Sequence, residues 1–119
     1  MKEQRRYKRV KLGVKVEWEK IPVKSGSSTL TSGMSMNISK GGICIAMDKK
    51  EVEQGDILHL TFKLPEEEEI TSKAEVQWVK ENFVNFRDEQ GKKYDVGIKF
   101  LEISDKDREK IEEFVLMHP

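Results

Sequence analysis

The chain has 119 residues and a formal net charge of zero, since 22 basic residues balance 22 acidic ones. That size favours one domain with a single core, and the charge balance excludes an overall field that attracts nucleic acid or anionic membranes. The single cysteine, Cys44, excludes an internal disulfide, and no stretch approaches the roughly 18 apolar residues of a membrane span, so we expect a cytoplasmic protein without membrane insertion.

The first 11 residues contain six cations and one acid. They lack hydrophobic periodicity, so we expect residues 1–11 to form a flexible basic arm outside a single domain at 12–119. Arg5 and Arg9 are four positions apart and share a side in either a helix or a strand. A guanidinium fork suits phosphate oxygens or the O6 and N7 edge of guanine, although an isolated RxxxR is more often a solvated tail.

Six short strands are indicated after this arm. Apolar and polar residues alternate with period two in five segments, and GICIAM fits a strand buried on both faces. In chain order these segments are 12–18, 34–38, 42–47, 58–64, 74–78 and 96–100. Turn or loop residues occur at 24–28, 40–42, 54–56, 64–69 and 89–93.

A C-terminal helix of about 105–117 is predicted next. Ser104 and Asp107 have the spacing of a capping box, and Ile111, Phe114 and Val115 recur at helical spacing. Six antiparallel strands followed by one helix indicate a mainly β fold, a six-stranded β-barrel with a C-terminal α-helix, because closure removes exposed strand edges.

A second motif lies at the second predicted turn, where Asn37, Ser39 and Gly42 follow the pattern [D/N]xSxxG. Asn37 offers an amide to a base edge, and Ser39 offers a hydroxyl to a phosphate or a base. Gly41 and Gly42 allow a ligand to approach the backbone closely. The same residues can equally form a tight hairpin with a serine turn.

Together the two motifs resemble the PilZ domain, a bacterial receptor for cyclic di-GMP. The resemblance covers nearly the whole chain, and AEVQWV and YDVGIKF are similar to later PilZ strands. It implies that Arg5 and Arg9 grip phosphate and the guanine Hoogsteen edge. It also implies that Asn37 and Ser39 hold a guanine and that Gly42, with Gly41, clears room for it.

Four further residues are weaker candidates for ligand contact. Gln4 precedes RxxxR, at a position that the family resemblance links to binding one ligand or a stacked pair. Arg6 is either steering charge or solvated surface. Gly41 accompanies Gly42. Trp78 has the parity of the core and is expected to pack there, with a guanine-flanking position at the barrel rim as the alternative.

The residue inventory argues against an enzyme. His59 and His118 are far apart in sequence, Cys44 is expected to be an inert core thiol, and the spacing of metal ligands or a P-loop is absent. We therefore expect no catalysis, no metal and no cofactor.

The expected function is a second-messenger receptor that binds cyclic di-GMP and signals to an effector protein through ordering of the N-terminal arm. Two alternatives remain. One is a PilZ-like interaction module that binds no nucleotide. The other is a small nucleic-acid-binding barrel, against which the acidic balance of the chain and the lack of aromatics on a basic strand argue.

Overall fold

The computed structural model describes residues 8–21, 31–65, 68–86 and 89–118. These residues form seven strands and one helix. In chain order the elements are β1 (Val10–Lys11), β2 (Lys15–Ile21), β3 (Thr31–Ser39), β4 (Gly42–Met47), β5 (Ile57–Lys63), β6 (Glu69–Phe86), β7 (Glu89–Glu102) and α1 (Asp105–Met117).

The long strands close into a barrel. The sheet order is β1-β3-β2-β5-β6-β7-β4, and an additional pairing of β3 with β4 joins the two ends. All pairings are antiparallel. The predicted fold, a mainly β protein with a closed six-stranded antiparallel barrel and a C-terminal helix, is confirmed.

The core lies inside this barrel because alternate residues of each strand point inward. In β5, Leu58, Leu60 and Phe62 are buried while His59 between them is exposed. In β4, Ile43 and Ile45 are completely buried. The period-two pattern therefore located the core face of β5 correctly. The prediction that GICIAM is buried on both faces is also confirmed, because Cys44 between the two isoleucines is buried as well.

The N-terminal edge is tied to the barrel more closely than expected. Residues 10 and 11 of the expected 1–11 arm form β1, in which Val10 pairs with Ile38 and is buried. Between β1 and β2 the chain is held by Ser35, whose hydroxyl donates to the carbonyl of Leu12 and accepts from the N–H of Val14. Arg9 therefore lies directly before a strand that is held in the barrel.

The predicted turn at 89–93 is wrong. Those residues belong to β7, whose Glu89 pairs with Phe86 of β6, so the two strands form one long hairpin. Antiparallel backbone pairing requires no core face, and residues with turn composition can take part in it. The predicted turn at 24–28 lies outside the described residues.

Helix α1 begins where the capping pattern indicates. The hydroxyl of Ser104 accepts a hydrogen bond of 3.1 Å from the N–H of Asp107. Ile111 and Val115 are buried against the barrel. No helix in the described ranges is long and apolar enough to cross a membrane.

One ion pair connects α1 to the β3–β4 turn. The Lys40 ammonium lies 3.2 Å from the Glu112 carboxylate. This part of the helix therefore lies beside the turn that carries the second motif.

Candidate ligand-binding groove

A groove of about 950 Å³ lies on the outer surface of β3, β4, β7 and β6. The strand register places Asn37, Cys44, Gly97 and Trp78 in one lateral row across these four strands. The two central members are a small thiol and a glycine, while the outer members carry an amide and an indole. The depression therefore follows from small residues in the middle of the row.

The two sequence motifs meet at this groove through Arg9 and Asn37. The Nη1 of Arg9 donates a hydrogen bond of 2.8 Å to the Oδ1 of Asn37. Pairing of β1 with residues 37 and 38 of β3 brings Arg9 to this position. Gln4, Arg5 and Arg6 lie outside the described residues.

Ser39 lines the groove but also stabilises the β3–β4 turn. Only 3% of its surface is exposed. Its hydroxyl accepts a hydrogen bond of 3.2 Å from the N–H of Gly41 and lies 3.5 Å from the carbonyl oxygen of Gly42. The serine turn, which the sequence left open beside ligand contact, is present. Gly41 accepts a hydrogen bond of 3.0 Å at its carbonyl from the N–H of Phe100, which joins the turn to β7.

Gly42 lines the groove too, and it has a clear structural reason to be glycine. A Cβ atom at this position would overlap the carbonyl oxygen of Ile98 on the neighbouring strand. The missing side chain therefore allows β4 to approach β7. Clearance for a ligand, the role that the resemblance implies, is not needed to explain this residue.

The expectation that Trp78 packs in the core is wrong. The register shifts between Val76 and Trp78, so that two steps along β6 correspond to one step along β7. This bulge turns Trp78 outward, and 45% of its surface is exposed. The indole lies over Gly97, where an added Cβ would overlap it. Trp78 thus lines the groove, and its contact with a guanine stays a prediction.

The groove is cationic although the chain is neutral. Among the described residues that line it, five carry positive charge and one, Asp95, carries negative charge. The cations are Arg9, Lys40, Lys80, Lys99 and Arg108. Positive charge in a concave surface concentrates anions.

Four of these cations were not predicted as site residues. Lys40 occupies a variable position of the second motif. Lys99 shares the outward parity of Gly97, so its position was a usable signal. Lys80 shares the parity of Trp78, which the sequence pattern assigned to the core, and only the bulge in β6 places it at the groove. Arg108 belongs to α1, and nothing in the sequence pattern indicated that the helix reaches the groove.

A second cavity, of about 510 Å³, lies between β6, the end of β7 and the start of α1. Its charges are mixed, because Lys73 faces Glu102 at 3.4 Å and Asp107 faces Lys110 at 3.7 Å. In the part of the chain that the structure describes, no three His, Cys, Asp or Glu side chains are placed to hold a metal ion. The cationic groove is therefore the stronger candidate site.

Comparison with known proteins identifies the family and supports the fold. The family model described as PilZ domain matches residues 3–117. The PilZ domain of Escherichia coli YcgR with c-di-GMP superposes with a TM-score of 0.77 at 14% identity, covering 98% of this chain and 92% of that one. No curated protein matches the chain significantly in sequence.

Two other similar structures are larger proteins. Bacillus subtilis inhibitor of motility MotI/DgrA has a TM-score of 0.70 at 22% identity, covering 97% of this chain and 50% of its own. The K. pneumonia MrkH complex with c-di-GMP has a TM-score of 0.73 at 19% identity, covering 97% of this chain and 51% of its own. The chain therefore spans about half the length of each, and at these identities the likeness shows the fold.

Proposed function

Because the chain belongs to the PilZ domain family, we propose that it is a receptor for cyclic di-GMP and that the cationic groove is the binding site. One observation carries the proposal: Arg9 of the first motif is hydrogen bonded to Asn37 of the second, inside a groove with excess positive charge. YcgR and MrkH, which share the fold, have structures with c-di-GMP.

The ligand carries two guanines and two phosphodiester charges, and the groove offers a group for each kind of contact. Arg9 presents a fork of donors to a phosphate or to the guanine Hoogsteen edge, and Arg5 is proposed to do the same. The exposed indole of Trp78 provides a face on which a guanine can stack. Asn37 supplies an amide for a base edge.

Two roles that the resemblance implies are altered in this proposal. Ser39 acts mainly through the β3–β4 turn, because its buried hydroxyl already accepts from Gly41. Gly42 acts through the close approach of β4 to β7. Both residues therefore shape the groove, and Arg9, Asn37 and Trp78 contact the ligand.

The proposed signal is an ordering of the N-terminal arm. The Arg9–Asn37 hydrogen bond anchors one end of the arm at the groove, and the remaining arm residues would close over the ligand and create a surface for an effector protein. The protein is proposed to be a non-catalytic receptor located in the cytoplasm, where the reduced thiol of Cys44 is stable.

Titration calorimetry with cyclic di-GMP tests the proposal. We expect the wild-type protein to bind and Arg9→Ala to bind about ten- to a hundredfold more weakly, since one charge-assisted hydrogen bond contributes roughly 1.5 to 3 kcal/mol. Lys8→Ala is the matched control, because Lys8 is an exposed cation of the same segment that does not line the groove.

Competition with single-stranded RNA separates the alternatives. Tighter binding of RNA than of cyclic di-GMP would favour the nucleic-acid-binding barrel. Absence of binding to either ligand would favour an interaction module that binds no nucleotide.

A further inference from the structure

Arg108 lies at a boundary between the two cavities. It belongs to the first turns of α1 and lines both the cationic groove and the second cavity. Glu112, one turn further along the helix, pairs with Lys40 of the β3–β4 turn. Arg108 therefore enters the groove from the helix, whereas Arg9 enters it from the N-terminal segment.

The guanidinium of Arg108 is incompletely satisfied. Its Nε is buried and has no hydrogen-bond partner within the described part of the chain. Nearby carboxylates pair with lysines instead: Asp107 lies 3.7 Å from Lys110, and Glu112 lies 3.2 Å from Lys40. A permanent positive charge thus lines the groove with an unused donor.

A buried donor without a partner destabilises the folded protein. Arginine stays protonated in proteins, so it cannot relieve this by losing its proton. The fold does not account for the residue, since a long apolar side chain would fill the same space without the unpaired N–H. An anion in the groove would satisfy both the charge and the donor.

We propose that Arg108 binds a phosphodiester of the cyclic dinucleotide from the helix side of the groove. The inference rests on the proposed function and adds a third arginine outside both sequence motifs. A ligand held by Arg9 and Arg108 together connects the N-terminal segment to α1.

The test compares Arg108→Met with Lys106→Met by calorimetry with cyclic di-GMP. Methionine keeps the length and apolar stem of the side chain. Lys106 is the matched control, because it is a cation of the same helix that does not line the groove. Its side chain is 74% exposed and pairs with Glu68. We expect Arg108→Met to weaken binding about tenfold or more, and Lys106→Met to change it less than about twofold.

Thermal unfolding separates this role from a structural one. Because the substitution removes an unpaired buried donor, we expect the Tm of Arg108→Met to equal or exceed that of the wild type. If the wild-type protein binds cyclic di-GMP and Arg108→Met binds it equally well, the role of Arg108 is overturned while the proposed function stands. Absence of wild-type binding would overturn the proposed function and this inference with it.

A measurement on the wild-type protein serves if Arg108→Met does not fold. The NMR resonance of the Arg108 Nε–H is assigned by its disappearance from the spectrum of Arg108→Lys. We expect this resonance to shift when cyclic di-GMP is added to the wild-type protein. A resonance that stays unchanged at saturating ligand would contradict the contact.

Discussion

The two sides of the groove differ in what the fold requires of them. On the β3–β4 turn, Ser39 and Gly42 are explained by local structure, one by a hydrogen bond to Gly41 and the other by the close approach of Ile98. On the rim, Arg9 and Trp78 are half-exposed or outward-facing groups that the barrel does not need for its core. The groove thus combines residues that the fold itself requires with polar and aromatic side chains that the core does not require.

The largest expected effect is loss of stability in Gly42→Ala. The new Cβ would overlap the carbonyl oxygen of Ile98, and the β4–β7 pairing would have to shift. We expect unfolding in urea to show a loss of about 3 kcal/mol. Gly13→Ala is the matched control, because a Cβ there has open space around it. Equal stability of the two variants would show that Gly42 is not a structural residue.

Trp78→Leu should weaken ligand binding while leaving the stability of the fold nearly unchanged. The indole is 45% exposed and lies over Gly97, so its loss costs little core packing. Stacking of a base on an aromatic ring contributes about 1 to 3 kcal/mol, and we expect cyclic di-GMP to bind about tenfold more weakly in calorimetry. If the melting temperature falls sharply and the affinity is retained, Trp78 is a structural residue and does not contact the ligand.

Asn37→Asp tests the contact between the motifs. A carboxylate would pair with Arg9, which already donates to Asn37 at 2.8 Å, and would attract the guanine N1–H and N2–H₂ donors. We expect a several-fold gain in affinity for cyclic di-GMP by calorimetry. Unchanged affinity would count against a contact between Asn37 and the base.

The smallest effect is expected at Glu68, which does not line the groove. Lys106 and then Lys110, at 3.7 and 3.5 Å, lower the pKa of the Glu68 carboxyl below its usual value of 4.5. The charged form is therefore favoured by folding, and its contribution is present above that value and disappears as the pH falls through the lowered pKa.

Glu68→Gln should accordingly reduce the Tm only slightly at neutral pH, because exposed ion pairs are screened by solvent. The difference from wild type should vanish in acid. Glu69→Gln, at the neighbouring exposed position, is the control. A difference that persists unchanged at low pH would contradict the ion-pair origin.

Particular residues show how far sequence could predict this molecule. The strand β5 was predicted correctly because alternate apolar residues mark a buried face. These residues are Leu58, Leu60 and Phe62. Trp78 was misassigned because a bulge changes parity without changing composition. The extent of the β6–β7 hairpin was missed because its strands continue through residues with turn composition.

Within the candidate site, the meeting of the two motifs could be predicted from the sequence, because residue chemistry and spacing indicate it. Arg9 and Asn37 were expected at one site and are hydrogen bonded there. The packing reason for Gly42 depends on Ile98, more than fifty positions away, and Arg108 depends on how α1 docks. Neither is encoded in a local pattern.

The central claim is that the cationic groove binds cyclic di-GMP, and amide chemical-shift mapping of the full chain tests it most directly. We expect ligand-induced shifts at Arg9, Asn37, Trp78 and Gly97, and little change at His59 and Thr71 of the second cavity. Shifts confined to the second cavity, or none at saturating ligand, would contradict the account.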